Sequence, residues 1–125
     1  MKKLLTTLLV VISLISCSGD DGIADLFVPN LSNQWESNRD TFFFFTADER
    51  DVNESTLTGN EQNNLGDIHN FTGRFKDYDI EFTFLEGPEK EVKYTGKFIK
   101  DSNPLTIKVT GTNGKKLEIT QRLNN

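Results

Sequence analysis

The chain has 125 residues, 35% of them hydrophobic, with 19 acidic against 14 basic side chains and a formal net charge of −5. That length holds one domain and not two, and the acidic balance disfavours nucleic acid, which wants a basic face. A single histidine and a single cysteine exclude a multi-histidine metal site and any disulfide within the chain.

Met1-Lys2-Lys3 opens a charged start, and an apolar run from Leu4 to Ser16 follows it. A charged start, a short apolar run and a small-residue cut site make an export signal. The run falls short of the roughly 20 residues that span a bilayer as a helix, so a transmembrane anchor is the weaker alternative. Leu14-Ile15-Ser16-Cys17 resembles the lipobox of bacterial lipoproteins. The resemblance implies removal of residues 1–16 and lipid attachment at Cys17, with fatty acyl chains such as palmitate on its sulfur and usually a third chain on its amine. One acyl chain binds a membrane reversibly, whereas two or more hold it firmly.

Ser18 is compatible with sorting to the outer membrane of a Gram-negative cell. Asp20-Asp21 resembles the acidic export signal of surface-displayed lipoproteins, against the plainer reading of a flexible acidic linker. The expected location is the outer membrane, lipid-anchored and exposed at the cell surface, with the periplasmic face as the alternative. Without Lys2 and Lys3 the remainder holds 12 basic and 19 acidic residues, a net charge of −7. Residues 18–67 carry 11 acids against Arg39 and Arg50, while residues 68–125 carry 10 bases against 8 acids.

Residues 17–30 read as lipidated Cys and tether, with Gly19, Gly22 and Pro29 discouraging regular structure, and residues 31–125 read as a single domain. Leu26-Phe27-Val28 is too apolar for a free linker; it is expected to dock as an edge strand or plug, or else to stay near the bilayer. Leu31 to Glu36 opens the first strand. A Trp early in the first strand, here Trp35, followed by meandering strands, resembles lipocalins and lipocalin-like barrels, although Asn33 stands where that family usually has Gly. The resemblance implies an up-and-down barrel, and no more.

Phe42-Phe43-Phe44-Phe45 is the most unusual run. Side chains alternate across a strand, so Phe42 and Phe44 share one face and Phe43 and Phe45 the other. One pair fills a core; the other is covered by Leu26-Phe27-Val28 or a loop, or lies exposed as a binding surface. Residues 47–66 are polar, with one short strand at Ser55-Thr56-Leu57-Thr58 followed by the polar stretch from Gly59 to Asn64. Asp48 to Glu54 offers carboxylates for Ca²⁺ but fits no calcium-loop template, so a solvated loop is expected there and no metal.

From Ile68 the alternation becomes regular. Phe71, Gly73 and Phe75, then Ile80, Phe82 and Phe84, then Val92, Tyr94, Gly96 and Phe98, then Leu105, Ile107 and Val109, then Leu117, Ile119 and Gln121 each take one face. Short turns between them, including the Asn113-Gly114 pair, make an antiparallel meander. The fold class expected is therefore all-β, an antiparallel up-and-down meander closing into a small lipocalin-like barrel or half-barrel, because open edges invite pairing with other chains. Gly73 and Gly96 mark bends or room for a neighbouring ring.

No catalytic constellation is present, no cofactor is implied, and His69 reads as a solvated or hydrogen-bonded residue. The functional expectation is a non-enzymatic lipoprotein binding module. Its partners would be the membrane, through the lipid, and a protein or a small apolar or glycan ligand met by Trp35, Phe42, Phe43, Phe44, Phe45 or Tyr94. Two alternatives stand beside it: an inhibitor or immunity-type protein that blocks a hydrolase or toxin, and an accessory subunit of an outer-membrane assembly.

Overall fold

Eight strands follow one another around a closed ring in the computed structural model, which describes residues 27–123. The leader, Cys17, the Asp20-Asp21 pair and Leu26 lie outside the described residues. The strands are β1 (Trp35–Ser37), β2 (Phe42–Ala47), β3 (Glu54–Gln62), β4 (Ile68–Lys76), β5 (Asp79–Phe84), β6 (Lys93–Phe98), β7 (Thr106–Gly111) and β8 (Lys116–Gln121). Every pairing is antiparallel, and β1 closes the ring by pairing with both β2 and β8, Trp35 lying opposite Phe43 on one side and Gln121 on the other. The expected all-β meander is thus a closed barrel, not a half-open sheet.

The alternation seen in the sequence is the wall of this barrel. Phe43, Phe45, Leu57, Phe71, Phe75, Ile80, Phe82, Phe84, Tyr94, Phe98, Ile107, Val109, Leu117 and Ile119 point inward and are buried. Seven of the ten phenylalanines are among the buried set, and their rings touch across the interior. Phe71 and Phe82 stand 4.6 Å apart, Phe82 and Tyr94 5.6 Å, and Phe43 and Phe71 5.9 Å. An eight-stranded barrel is just wide enough to be filled by side chains or to hold one small ligand. Here the aromatic rings fill it, each buried Phe contributing roughly 1.5–3 kcal/mol.

Gly73 and Gly96 are inward positions where neighbouring strands pinch together. A Cβ at Gly73 would lie 2.0 Å from the carbonyl oxygen of Glu81, and one at Gly96 1.9 Å from that of Lys108. Any side chain there would push the wall apart, so the barrel can turn its corners only with glycine.

The two ends differ. The connections 48–53, 77–78 and 99–105 lie at one end, with the entering chain. Phe27 stacks on Tyr78 with ring centroids 4.2 Å apart and meets Phe98 at 5.2 Å. Leu31 is buried in the core beside them, and its carbonyl accepts a hydrogen bond from the Trp35 indole at 3.2 Å. Gln121 donates to the carbonyls of Asn30 and Ser32, both at 2.8 Å. Residues 27–34 are therefore a plug, not the tail of a tether, and the first strand is only Trp35–Ser37. Phe27 and Val28 do not cover the outer pair of the Phe run.

Candidate functional site

The opposite end, here called the mouth, gathers the connections 38–41, 63–67, 85–92 and 112–115. Arg39 leaves the β1–β2 connection next to Asp40, whose φ of 62° is a conformation Asp tolerates better than most residues. The Arg39 side chain turns over the barrel end. Its Nε and Nη2 donate to the two carboxylate oxygens of Glu61 at 2.8 and 2.7 Å, and its Nη1 and Nη2 donate to those of Glu89 at 3.2 and 3.0 Å. The guanidinium thus grips a carboxylate on either side, the fork geometry in which arginine binds most strongly.

Glu61 arrives from β3, where Leu57, Gly59 and Glu61 take successive inward positions, and its side chain is only 9% exposed. It also accepts a hydrogen bond from the Thr41 hydroxyl at 2.6 Å, and Thr41 and Ser37 bond to each other through their hydroxyls at 2.6 Å. Glu89 sits in the β5–β6 connection, 14% exposed. It accepts the Tyr94 hydroxyl at 2.9 Å and the Asn113 amide at 3.1 Å, with Lys115 3.8 Å away. One cation and two carboxylates tie together four segments far apart in sequence.

The electrostatics follow from this packing. Burial alone would lower the pKa of Arg39, but the hydrogen bonds and charges of Glu61 and Glu89 outweigh it and hold the guanidinium above its ordinary value. Burial would likewise raise Glu89, yet the bonds from Arg39 and Tyr94 keep its carboxyl below the usual range. Tyr94 is pushed up by burial first and by its bond to Glu89 second. Arginine does not give up its proton in proteins, so the group holds charge in place; it is not an acid–base pair. Above it lies a shallow cavity of about 220 Å³ reached by His69, Phe84, Glu86 and Pro88. His69 is half-buried and packs on Gly87, where a Cβ would lie 2.6 Å from the imidazole.

The sequence-expected contact residues divide sharply. Trp35, Phe43 and Phe45 are core; a ligand reaches neither Trp35 nor Phe43 without opening the barrel, and Phe45 shows only an edge to the outer cleft beside the entering chain. Tyr94 also has a buried ring and offers only its hydroxyl, already given to Glu89. Phe42 and Phe44 alone face outward, half-buried on the β2 wall, opposite Gln62 and Asn60. Ile68 and Leu85 extend that side of the mouth as exposed apolar residues, and Leu65 at the β3–β4 tip is 86% exposed. The acidic loop after β2 lies at the plugged end, where Asp48 accepts the Thr56 hydroxyl. Among the described residues no three His, Cys, Asp or Glu side chains converge as a metal site.

Sequence reading missed Arg39, Glu61 and Glu89. The stretch from Gly59 to Gln62 read only as polar sequence beyond a short strand at Ser55-Thr56-Leu57-Thr58, yet it completes β3, and the turn comes at 63–67. The available signal was the period of two running on from Leu57 through Gly59 to Glu61, together with Arg39 as one of only two bases in residues 18–67. No protein-family model, curated protein or solved structure matches the chain.

Proposed function

We propose that the chain is a non-enzymatic lipoprotein of the outer membrane, anchored through Cys17 and exposed at the cell surface, whose barrel binds its partner with the outer surface. The observation that carries the second half is the filled interior: aromatic rings occupy the space an enclosed ligand would need, and a plug and an ion cluster cover the two ends. The export-like leader and the Leu14-Ile15-Ser16-Cys17 pattern support the first half.

Anchoring at Cys17 also determines which end of the barrel is tethered. Nine residues separate it from Phe27, a reach of at most roughly 35 Å, and the chain enters at the plugged end. The plugged end is then the tethered one, and the mouth lies at the other end of the barrel. The acidic loop at Asp48–Asp51 would lie at the tethered end, which leaves the inhibitor reading little support. An accessory role in an outer-membrane assembly is the second reading, favoured by the outward Phe42 and Phe44.

The test is fractionation of cells producing the full chain or its Cys17→Ser variant, with labelled palmitate and a membrane-impermeant surface label. The parent is expected in the membrane fraction, carrying palmitate and reached by the label. A Cys17→Ser variant that still floats with membranes overturns the anchoring, and a parent protected from the label overturns the surface location.

A further inference from the structure

The outer wall of β6, β7 and β8 has a composition unlike the rest of this acidic chain. Its outward positions are Lys93, Thr95 and Lys97 on β6, then Thr106, Lys108 and Thr110 on β7, then Lys116, Glu118 and Thr120 on β8. Four lysines and four threonines thus stand with a single glutamate. The register places Lys97 directly opposite Lys108, Lys108 opposite Glu118, and Thr110 opposite both Thr95 and Lys116.

Like charges directly opposed across strands are destabilising. Lys97 and Lys93 pair with Asp79 and Glu81 of β5. Among the described residues no carboxylate forms an ion pair with Lys108 or Lys116, and the hydroxyls of Thr95 and Thr110 make no hydrogen bond. Between these side chains runs an outer groove of about 510 Å³, closed at one edge by Asn38. The groove therefore holds an excess of ammonium groups, with Lys116 in no ion pair and Glu118 across from Lys108 but not bonded to it, next to hydroxyls that bond to no other side chain.

We infer that this groove binds an acidic polysaccharide: Lys108 and Lys116 take its carboxylates or sulfates, and Thr95, Thr110 and Asn38 take its ring hydroxyls. Charge complementarity selects an anion, and the interleaved hydroxyls and amide select one that also carries hydroxyl groups. A single-stranded nucleic acid fits less well. This wall has no outward aromatic on which bases stack, Glu118 interrupts the positive strip, and the acidic remainder of the chain repels a dense polyanion. The inference rests on the barrel binding by its outer surface and not on the lipid anchor, so affinity measured in solution and fractionation measured in cells fail independently.

The test uses the full chain, purified in detergent from the cells that make it. Polygalacturonate and chondroitin sulfate are the acidic probes, dextran the neutral one, and a single-stranded oligonucleotide and phosphatidylglycerol vesicles the competing anions. The parent is expected to bind an acidic polysaccharide, more weakly as salt rises, and dextran not at all. The Lys108→Gln/Lys116→Gln double variant is expected to lose about tenfold in affinity or more, while Lys76→Gln/Lys100→Gln, outside the groove, matches the parent. Equal affinity of the groove variant and parent overturns the proposal. So does failure to bind either acidic polysaccharide at low salt, equal retention on dextran, or tighter binding to the oligonucleotide or the vesicles.

Discussion

The two ends of the barrel meet the same problem, a ring of core side chains that must be screened from water, with opposite chemistry. The plugged end uses apolar surface from the chain's own approach: Phe27 on Tyr78 and Phe98, and Leu31 in the core. The mouth uses charge: Arg39 between Glu61 and Glu89, with Tyr94 and Thr41 completing their hydrogen bonds. An apolar plug is tolerant of detail, because burial is non-directional. An ion cluster is not, because each group removed leaves another buried without its partner.

The sharpest way to separate the ends is to break each once. Arg39→Met leaves Glu61 and Glu89 facing each other without a cation, and about 3 kcal/mol of stability should be lost, the lower part of the range for breaking a buried pair because Arg39 is 28% exposed. Urea unfolding measures it. Adding Glu61→Gln should recover part of the loss, since two coupled groups do not add; strictly additive losses would mean that the cluster contributes nothing as a unit.

Phe27→Ala should cost less, about 2 kcal/mol, because its ring is only half-buried. The loss should be the same at low and high salt, whereas the stability difference between parent and Arg39→Met should change with salt. A salt-sensitive Phe27→Ala would blur the distinction between the ends.

The smallest effect is on pH dependence, and two groups of the mouth contribute to it. Glu89 is held below its ordinary value, so the stability it contributes is fully present above the unfolded value near pH 4.3 and is lost as pH falls through the folded one. Tyr94 is held above its ordinary value, so its contribution is complete below about pH 10 and is lost as pH rises through the folded value. Urea midpoints across pH should therefore fall at both extremes, and Glu89→Gln should flatten the acid limb. An unchanged acid limb would remove Glu89 from the account.

How far the sequence foretells this molecule depends on which end is considered. Strands β4 to β8 are legible because each alternates apolar and polar residues and is bounded by a turn. Gly73 and Gly96 are legible as corners for the same reason: they fall on apolar positions. Phe27 is legible as a docked residue, since nothing in a solvated tether calls for three apolar residues in a row. The mouth is not legible. Arg39 lies 22 residues from Glu61 and 50 from Glu89, and only barrel closure brings them together. Glu61 hides in a stretch that reads as merely polar because its inward neighbour is Gly59, where a Cβ would lie 2.6 Å from the Phe71 ring. A strand whose inward face reads Leu, Gly, Glu lacks the pattern that reveals strands. The Phe42 to Phe45 run gave its alternation correctly but not which pair faces in; that is set by β1, which places Phe43 beside Trp35.

The central claim is that this barrel binds by its outside because its inside is full. Trp35, the one tryptophan in the chain, stands in the core with Phe45 at 5.4 Å, and its emission reports on anything that enters. The most direct measurement is a titration with cis-parinaric acid, a fluorescent fatty acid that accepts energy from tryptophan. The account predicts no saturable quenching of Trp35 at concentrations below the probe's own aggregation. Saturable quenching at one probe per chain would contradict it and would make the interior a ligand cavity.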